Sequence, residues 1–302
     1  MFGKDRGGSV TENLSYTIQI GTDFDLGQDL VWTLKSDPLL RANNVSVPRP
    51  KRYRRILPDL VEGDEATSIT NQEIVTMAGL DPDRVDGDQH LFLSFTDPMQ
   101  REEFFCPAGD WFFGLGERLA KYRAVFAPAP VTLMISLRNP AMLLSEAWAS
   151  GQYSGLDVMP PDPFRLRWLD VLRDVRTHLP ETPIVVWPAE DSPIVWGRIL
   201  RAAIRPGVDV SIDSEVRIAT QLMNEEGGAR LRSYLETHPD MSADLRTRVV
   251  TIFLKRFVRE DEVESDIVIP GWTDALQDRM DEQYAADLDG IRTLAGVTLI
   301  TI

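Results

Sequence analysis

Apolar residues gather in short runs along the chain: Tyr16 to Ile20, Leu91 to Phe95, Val131 to Leu137, Ile184 to Trp187 and Val297 to Ile302. Each of the first four leads through a turn into a longer segment of helical periodicity. That alternation is the pattern of an α/β fold with a central, mainly parallel sheet flanked by helices. Leu26, Leu30, Leu34 and Leu40 fall near one face and predict a helix over 26–42. A second helix is expected over 116–126, and a third opens at Pro140, a residue suited to the first helical turn. Asp191 or Ser192 is placed to cap a fourth, which starts at Pro193 and runs to Ile204. The acidic stretch from Leu57 to Gln89 is irregular, with a helix near 71–78 and a Gly/Asp/Pro-rich loop over 79–88. Residues 205–293 read as mainly helical. Without an internal repeat or a convincing linker, residues 1–302 are expected to form a single domain with a helical C-terminal elaboration.

Charge narrows the partners. Lys and Arg total 32 against 47 Asp and Glu, a formal net charge of −15, so the summed field repels nucleic acid and anionic lipid. Neither nucleic acid nor membrane is expected as a partner, and no apolar run reaches the length of a membrane span. The start of the chain lacks an apolar signal region, and Cys106 is the one cysteine, which excludes an internal disulfide and any cysteine-based metal site. These features place the protein in the cytoplasm. Cys106, within Phe104-Phe105-Cys106-Pro107, reads as buried, and the seven Trp read as core.

Against the acidic background, Arg49, Lys51, Arg52, Arg54 and Arg55 put five cations into seven residues. At helical spacing Lys51 and Arg55 share a face, as do Arg52 and Arg55, which makes the stretch either a solvated face or a patch for an anionic or glycan-type ligand. His90 precedes its strand and belongs at the wrong end of the sheet for catalysis. His178 and His238 stand at expected helix ends.

Three segments, taken in order, resemble the P-loop sulfotransferase family, most closely its bacterial members. The strongest is Thr132 to Pro140, a strand ending in Arg138-Asn139-Pro140, followed by Ala-Met-Leu-Leu-Ser145. In that family such an Arg and a following Ser hold the 3′-phosphate of 3′-phosphoadenosine-5′-phosphosulfate (PAPS), the sulfuryl donor. Arg138 also offers a forked donor beside a helix N-terminus, which suits an anion on general grounds. Ser145 lies seven residues after Arg138, whereas the usual spacing of eight falls on Glu146. The second segment is Val185 to Asp191 with its helix. The third is Ile18-Gln19-Ile20-Gly21-Thr22 and the turn containing Gly27, where the family places its phosphosulfate loop. Trp272 to Ile302 resembles the family's closing helix and strand. The resemblance implies PAPS as cofactor, Gly21, Gly27, Arg138 and Ser145 as its binding residues, and Asp97, at the end of Ser94-Phe95-Thr96-Asp97, as the base at a position where the family often carries Glu.

The loop itself departs from the pattern. A phosphosulfate loop needs a cation, hydroxyls and free backbone N–H groups. Here Asp23-Phe24-Asp25-Leu26-Gly27-Gln28-Asp29 supplies no cation in any register. Three readings of Asp23, Asp25 and Asp29 stay open: caps and solvated charges, a remodelled nucleotide site, or a divalent-metal site. Two functions follow. One is sulfuryl transfer from PAPS to a carbohydrate-like or small hydroxyl acceptor. The other is a non-catalytic binding protein that keeps the fold with a degenerate loop.

Overall fold

The computed structural model describes residues 14–22, 26–54, 57, 61, 89–95, 99, 111–150, 163–259, 267, 269 and 271–302. Strand β1 (Leu14–Ile20) leads into helix α1 (Gly27–Ser36), and α2 (Pro38–Ala42) precedes the two-residue strand β2 (Val45–Ser46). Next come β3 (Gln89–Phe95), α3 (Leu115–Val125), β4 (Val131–Leu137), α4 (Pro140–Ser150), α5 (Trp168–His178) and β5 (Ile184–Pro188). Six helices and a last strand close the order: α6 (Ser192–Ala202), α7 (Ile212–Glu215), α8 (Arg217–Gln221), α9 (Glu225–Glu236), α10 (Ala243–Phe257), α11 (Asp274–Arg292) and β6 (Val297–Leu299).

All strand pairings are parallel, in the order β2-β3-β1-β4-β5-β6. This is the expected α/β class, with helices on both faces and a helical region before the last strand. Central strands buried on both faces need no polar alternation, and every residue of β3 is buried. Period-two geometry sends Tyr16, Ile18, Ile20, Leu133, Ile135 and Leu137 into one core with α3, α4, α5 and α11. Phe92, Met134 and Trp187 face the other way, against Leu30 and Leu34 of α1 and the apolar side of α6. A third cluster, including Val216, Leu231 and Val250, lies within the helical region.

Three local expectations change. The helix over 26–42 breaks after Ser36, because Asp37 leaves the helical conformation before Pro38 and caps α2 by accepting from Leu39 N at 2.8 Å. Asp191 precedes α6 without capping it through its side chain. Its carboxylate instead accepts from Thr301 Oγ1 (2.6 Å) and Ile302 N (3.2 Å), beyond β6. Trp32 is 55% exposed and is not core, unlike Trp187 and Trp196. The helix expected near 71–78 and Cys106 lie outside the described residues.

Candidate functional site

Neighbouring strands β1 and β4 send their connections to opposite faces of the sheet, α1 to one and α4 to the other. Ligands of open α/β sheets bind at such a reversal, outside the carboxyl ends of the strands. Gly21 follows β1 and Arg138 follows β4; with Ile20 paired to Ile135, strand spacing and rise put the two backbones on the order of 8 Å apart. Gly21 donates its N–H to Phe95 O (3.2 Å), which ties the turn to β3. Gly27 is buried as the first residue of α1, whose N-cap Leu26 brings no side-chain acceptor. Asp29 stands in the first turn of α1, 3.9 Å from Arg217. Asp97, Asp23, Phe24, Asp25 and Arg55 lie outside the described residues.

Arg138 leaves the sheet edge with its fork already filled. Its Nε donates to Glu146 Oε2 at 3.1 Å and its Nη2 to Glu146 Oε1, a two-point ion pair with both side chains partly exposed (23% and 29%). Glu146 lies six residues beyond Pro140, about 1.7 helical turns along α4, and its carboxylate reaches back to the strand exit. Ser145, one residue earlier, is buried at 5% exposure. The Arg138 carbonyl accepts from Trp168 Nε1 at 2.7 Å, which holds the turn against α5.

Asn139 organises the rest of the exit. Its side-chain oxygen accepts from Ala141 N (2.9 Å) and caps α4, its amide donates to Asp281 Oδ1 (2.7 Å), and its backbone N–H donates to Glu190 Oε1 (2.6 Å). Tyr284 of α11 donates to the Leu137 carbonyl (3.2 Å) and lies 3.3 Å from Glu190 Oε2. Glu190 keeps an exposed flank, yet loss of water around its carboxyl raises its pKa, against the opposing effects of the Asn139 N–H, Arg138 and Tyr284. Burial, reinforced by Glu190, pushes the Tyr284 phenol well above its ordinary value. In the sequence Glu190 stands out only as part of the Val185 to Asp191 segment, and nothing marks Asp281 or Tyr284, which lie on α11 more than a hundred residues after Arg138. Glu146 was visible, as the residue at the family's usual serine spacing.

The basic stretch divides. Pro50 to Arg52 form a single 3₁₀ turn, so the α-helical spacing of the cations does not apply. Arg49, Lys51 and Arg52 are exposed. Arg54 turns inward, and its Nε donates to the Ser94 carbonyl at 3.0 Å, beside Tyr53, whose hydroxyl accepts from Ser94 N at 2.9 Å. Ser94 in turn donates to Gln19 at 2.6 Å, a buried polar link between β3 and β1. His90 is 4% exposed near the start of β3, away from the carboxyl edge. His178 ends α5, and His238 follows α9. Among the described residues no group of three or more His, Cys, Asp or Glu could hold a metal ion, and no helix is long and apolar enough to cross a membrane.

No protein-family model matches the chain, and no curated protein matches it. Among solved structures, one of retinol dehydratase in complex with androsterone and inactive cofactor PAP aligns at 11% sequence identity and a TM-score of 0.29, covering 93% of this chain and 81% of that one. At that distance no residue role is taken from it.

Proposed function

We propose that this chain is a sulfotransferase-like protein that has kept the fold and lost sulfuryl transfer, and that it works by binding. The observation that carries the reading is the Arg138–Glu146 fork. A carboxylate presents to a guanidinium the same two-oxygen edge as a phosphate, so Glu146 occupies the donor set that the family resemblance gives to the 3′-phosphate of PAPS. A nucleotide would have to displace Glu146 and then sit beside it. Two like charges 4 Å apart near a protein surface repel by about 4 kcal/mol, close to a thousandfold in affinity. Glu190 and Asp281 add carboxylates at the same strand exit, and the loop before α1 brings no cation in sequence. The second reading, PAPS-dependent sulfuryl transfer with Gly21, Gly27, Arg138 and Ser145 around the cofactor and Asp97 as base, draws on one feature: α1, the helix that follows β1 in the chain, has no side-chain cap from its N-cap residue.

Calorimetric titration with adenosine 3′,5′-bisphosphate separates them. The wild-type protein should give no binding up to about 1 mM, and Glu146→Ser should bind at least about tenfold more tightly. Adding Arg138→Ala to that variant should remove the gain. Micromolar binding by the wild type, or release of sulfate label from PAPS to any hydroxyl acceptor, overturns the non-catalytic reading in favour of the enzyme.

A further inference from the structure

The outer side of α1 carries a recess separate from the strand ends. It lies between α1 with the start of α2 and helices α7, α8 and α9, and it encloses about 430 Å³, within the range of small-ligand sites. Asp37 fixes its two walls: one carboxylate oxygen caps α2, and the other accepts from Ser211 N (2.8 Å) and Ser211 Oγ (2.9 Å) at the start of α7.

Trp32 stands at this recess, more than half exposed, with the Arg217 guanidinium carbon 3.6 Å from its ring centre. Stacking of this kind holds an arginine in place while leaving its N–H groups for a ligand. Arg217 is poorly served by the protein. Its carboxylate neighbour Asp29 is 3.9 Å away, beyond hydrogen-bond distance, and its buried Nε has no hydrogen-bond partner. Thr33, which lines the recess and is 1% exposed, also has a hydroxyl without a partner. Unpaired buried polar groups are rare enough to call for a cause.

The surrounding chemistry limits what would complete them. Arg232, on the opposite wall, is paired with Asp213 at 2.9 Å and donates to Thr220 at 3.2 Å, whereas Arg217 has only the looser ion pair with Asp29 at 3.9 Å, so the less well served cation is Arg217. One negative charge is matched here, and a polyphosphate is not. Ser36 gives its own proton to the Thr33 carbonyl (3.1 Å) and Thr220 to the Arg217 carbonyl (3.0 Å); Thr220 already accepts from Arg232 Nη2 (3.2 Å), so each hydroxyl keeps a lone pair for a hydroxyl donor. The other face of Trp32 offers a flat apolar platform. One carboxylate, several hydroxyl donors and a flat C–H face together describe a uronic-acid ring. We infer that the recess between Trp32 and Arg217 binds an acidic saccharide, with Arg217 forking one uronate carboxylate and Trp32 stacking on the sugar. A chain of net charge −15 repels anions in general, so such binding has to come from this local pair.

The test is calorimetric titration of the full chain with trigalacturonate, maltotriose and inorganic phosphate at physiological ionic strength. Trigalacturonate should bind with Kd below about 1 mM, maltotriose at least about tenfold more weakly, and phosphate not measurably. Arg217→Gln should weaken trigalacturonate at least about tenfold, and Trp32→Ala, at an exposed position where folding is undisturbed, about as much. Arg248→Gln removes the same charge from an exposed position on α10 and should stay within about twofold. No heat with trigalacturonate, equal binding of maltotriose or phosphate, unchanged affinity in Trp32→Ala, or an equal loss in Arg248→Gln each overturns the assignment. The inference does not depend on whether the strand ends bind a nucleotide.

Discussion

Tyr284 and Glu190 meet across the carboxyl edge of the sheet, phenol to carboxylate at 3.3 Å, while the same phenol holds the last carbonyl of β4. Helix α11 is thereby fastened to two strand exits at once. The contact sits next to Arg138, whose charge lowers the pKa of both groups.

Removing the phenol tests this fastening. Tyr284→Phe leaves the Leu137 carbonyl and one Glu190 oxygen without their donor and should cost about 1 to 2 kcal/mol in urea unfolding at pH 7. Glu190 supplies a second readout. Its folded pKa is raised, so the folded state holds its proton longer than the unfolded chain, and stability is lost as pH rises above the ordinary 4.5. Glu190→Gln lacks that titration and should gain on the wild type over the same rise, by less than about 1 kcal/mol because the exposed flank is screened.

His90 titrates in the opposite sense. Burial, with a smaller contribution from the Arg205 charge and against the Ala203 hydrogen bond, lowers its pKa to about 4. A carbonyl can only accept, so Nε2 carries the proton toward Ala203 O (3.2 Å), and Nδ1 accepts from the Ser15 hydroxyl (2.9 Å). The unfolded chain protonates first, near 6.5, so stability falls as pH drops from there toward 4. The wild type should lose about 2 kcal/mol by pH 5 relative to His90→Gln, measured as the difference in urea midpoints across pH 7 to 5.

The basic stretch should split in the same way under substitution. Lys51→Gln and Arg52→Gln, both at exposed sites, should each leave stability within about 0.5 kcal/mol. Arg54→Ala deletes one of two donors to the Ser94 carbonyl, the Tyr53 hydroxyl at 3.3 Å being the other, and should cost about 1 kcal/mol. Equal melting temperatures for all three variants would show that Arg54 is as dispensable as its neighbours.

Asp37→Ala should be the most damaging of the single changes considered. It removes a carboxylate that is only 4% exposed, strips the cap from α2 and leaves the Ser211 N–H without its acceptor, while the Ser211 hydroxyl keeps Ser214, at a cost on the order of 2 to 3 kcal/mol. Asp37→Asn retains an acceptor oxygen and should recover part of that loss in the same thermal unfolding experiment.

Much of the sheet was legible because its strands are uninterrupted apolar runs. The run Val131 to Leu137 is β4 residue for residue, and Ile184 to Trp187 falls one short of β5. Strand β2 escaped, since two residues at a sheet edge carry no periodicity. The break at Asp37 was readable in Pro38, but the leucine spacing continued through it and argued for one helix. Of the site, Arg138 could be singled out, since a strand followed by Arg-Asn-Pro stands out locally. Its pairing with Glu146 could not, because i to i+8 across a strand exit obeys no helix or strand period. Tyr284, Asp281 and Arg217 reach their partners only through tertiary packing, and nothing in their local sequence marks them. Trp32 looked like core because tryptophan usually is, and only the placement of α8 shows it left at the surface.

The two oxygens of Asp37 join segments 174 residues apart. The recess beside Trp32 therefore exists only where the helical region is docked on the α/β layer, and a chain in which the two have come apart does not possess it. Anything that binds there selects the completed molecule and stabilises it by mass action, by about 2.7 kcal/mol at a hundred times Kd. Ligand occupancy at this recess thus reports on whether the whole chain is folded, a property that no site confined to one strand and its following helix would have.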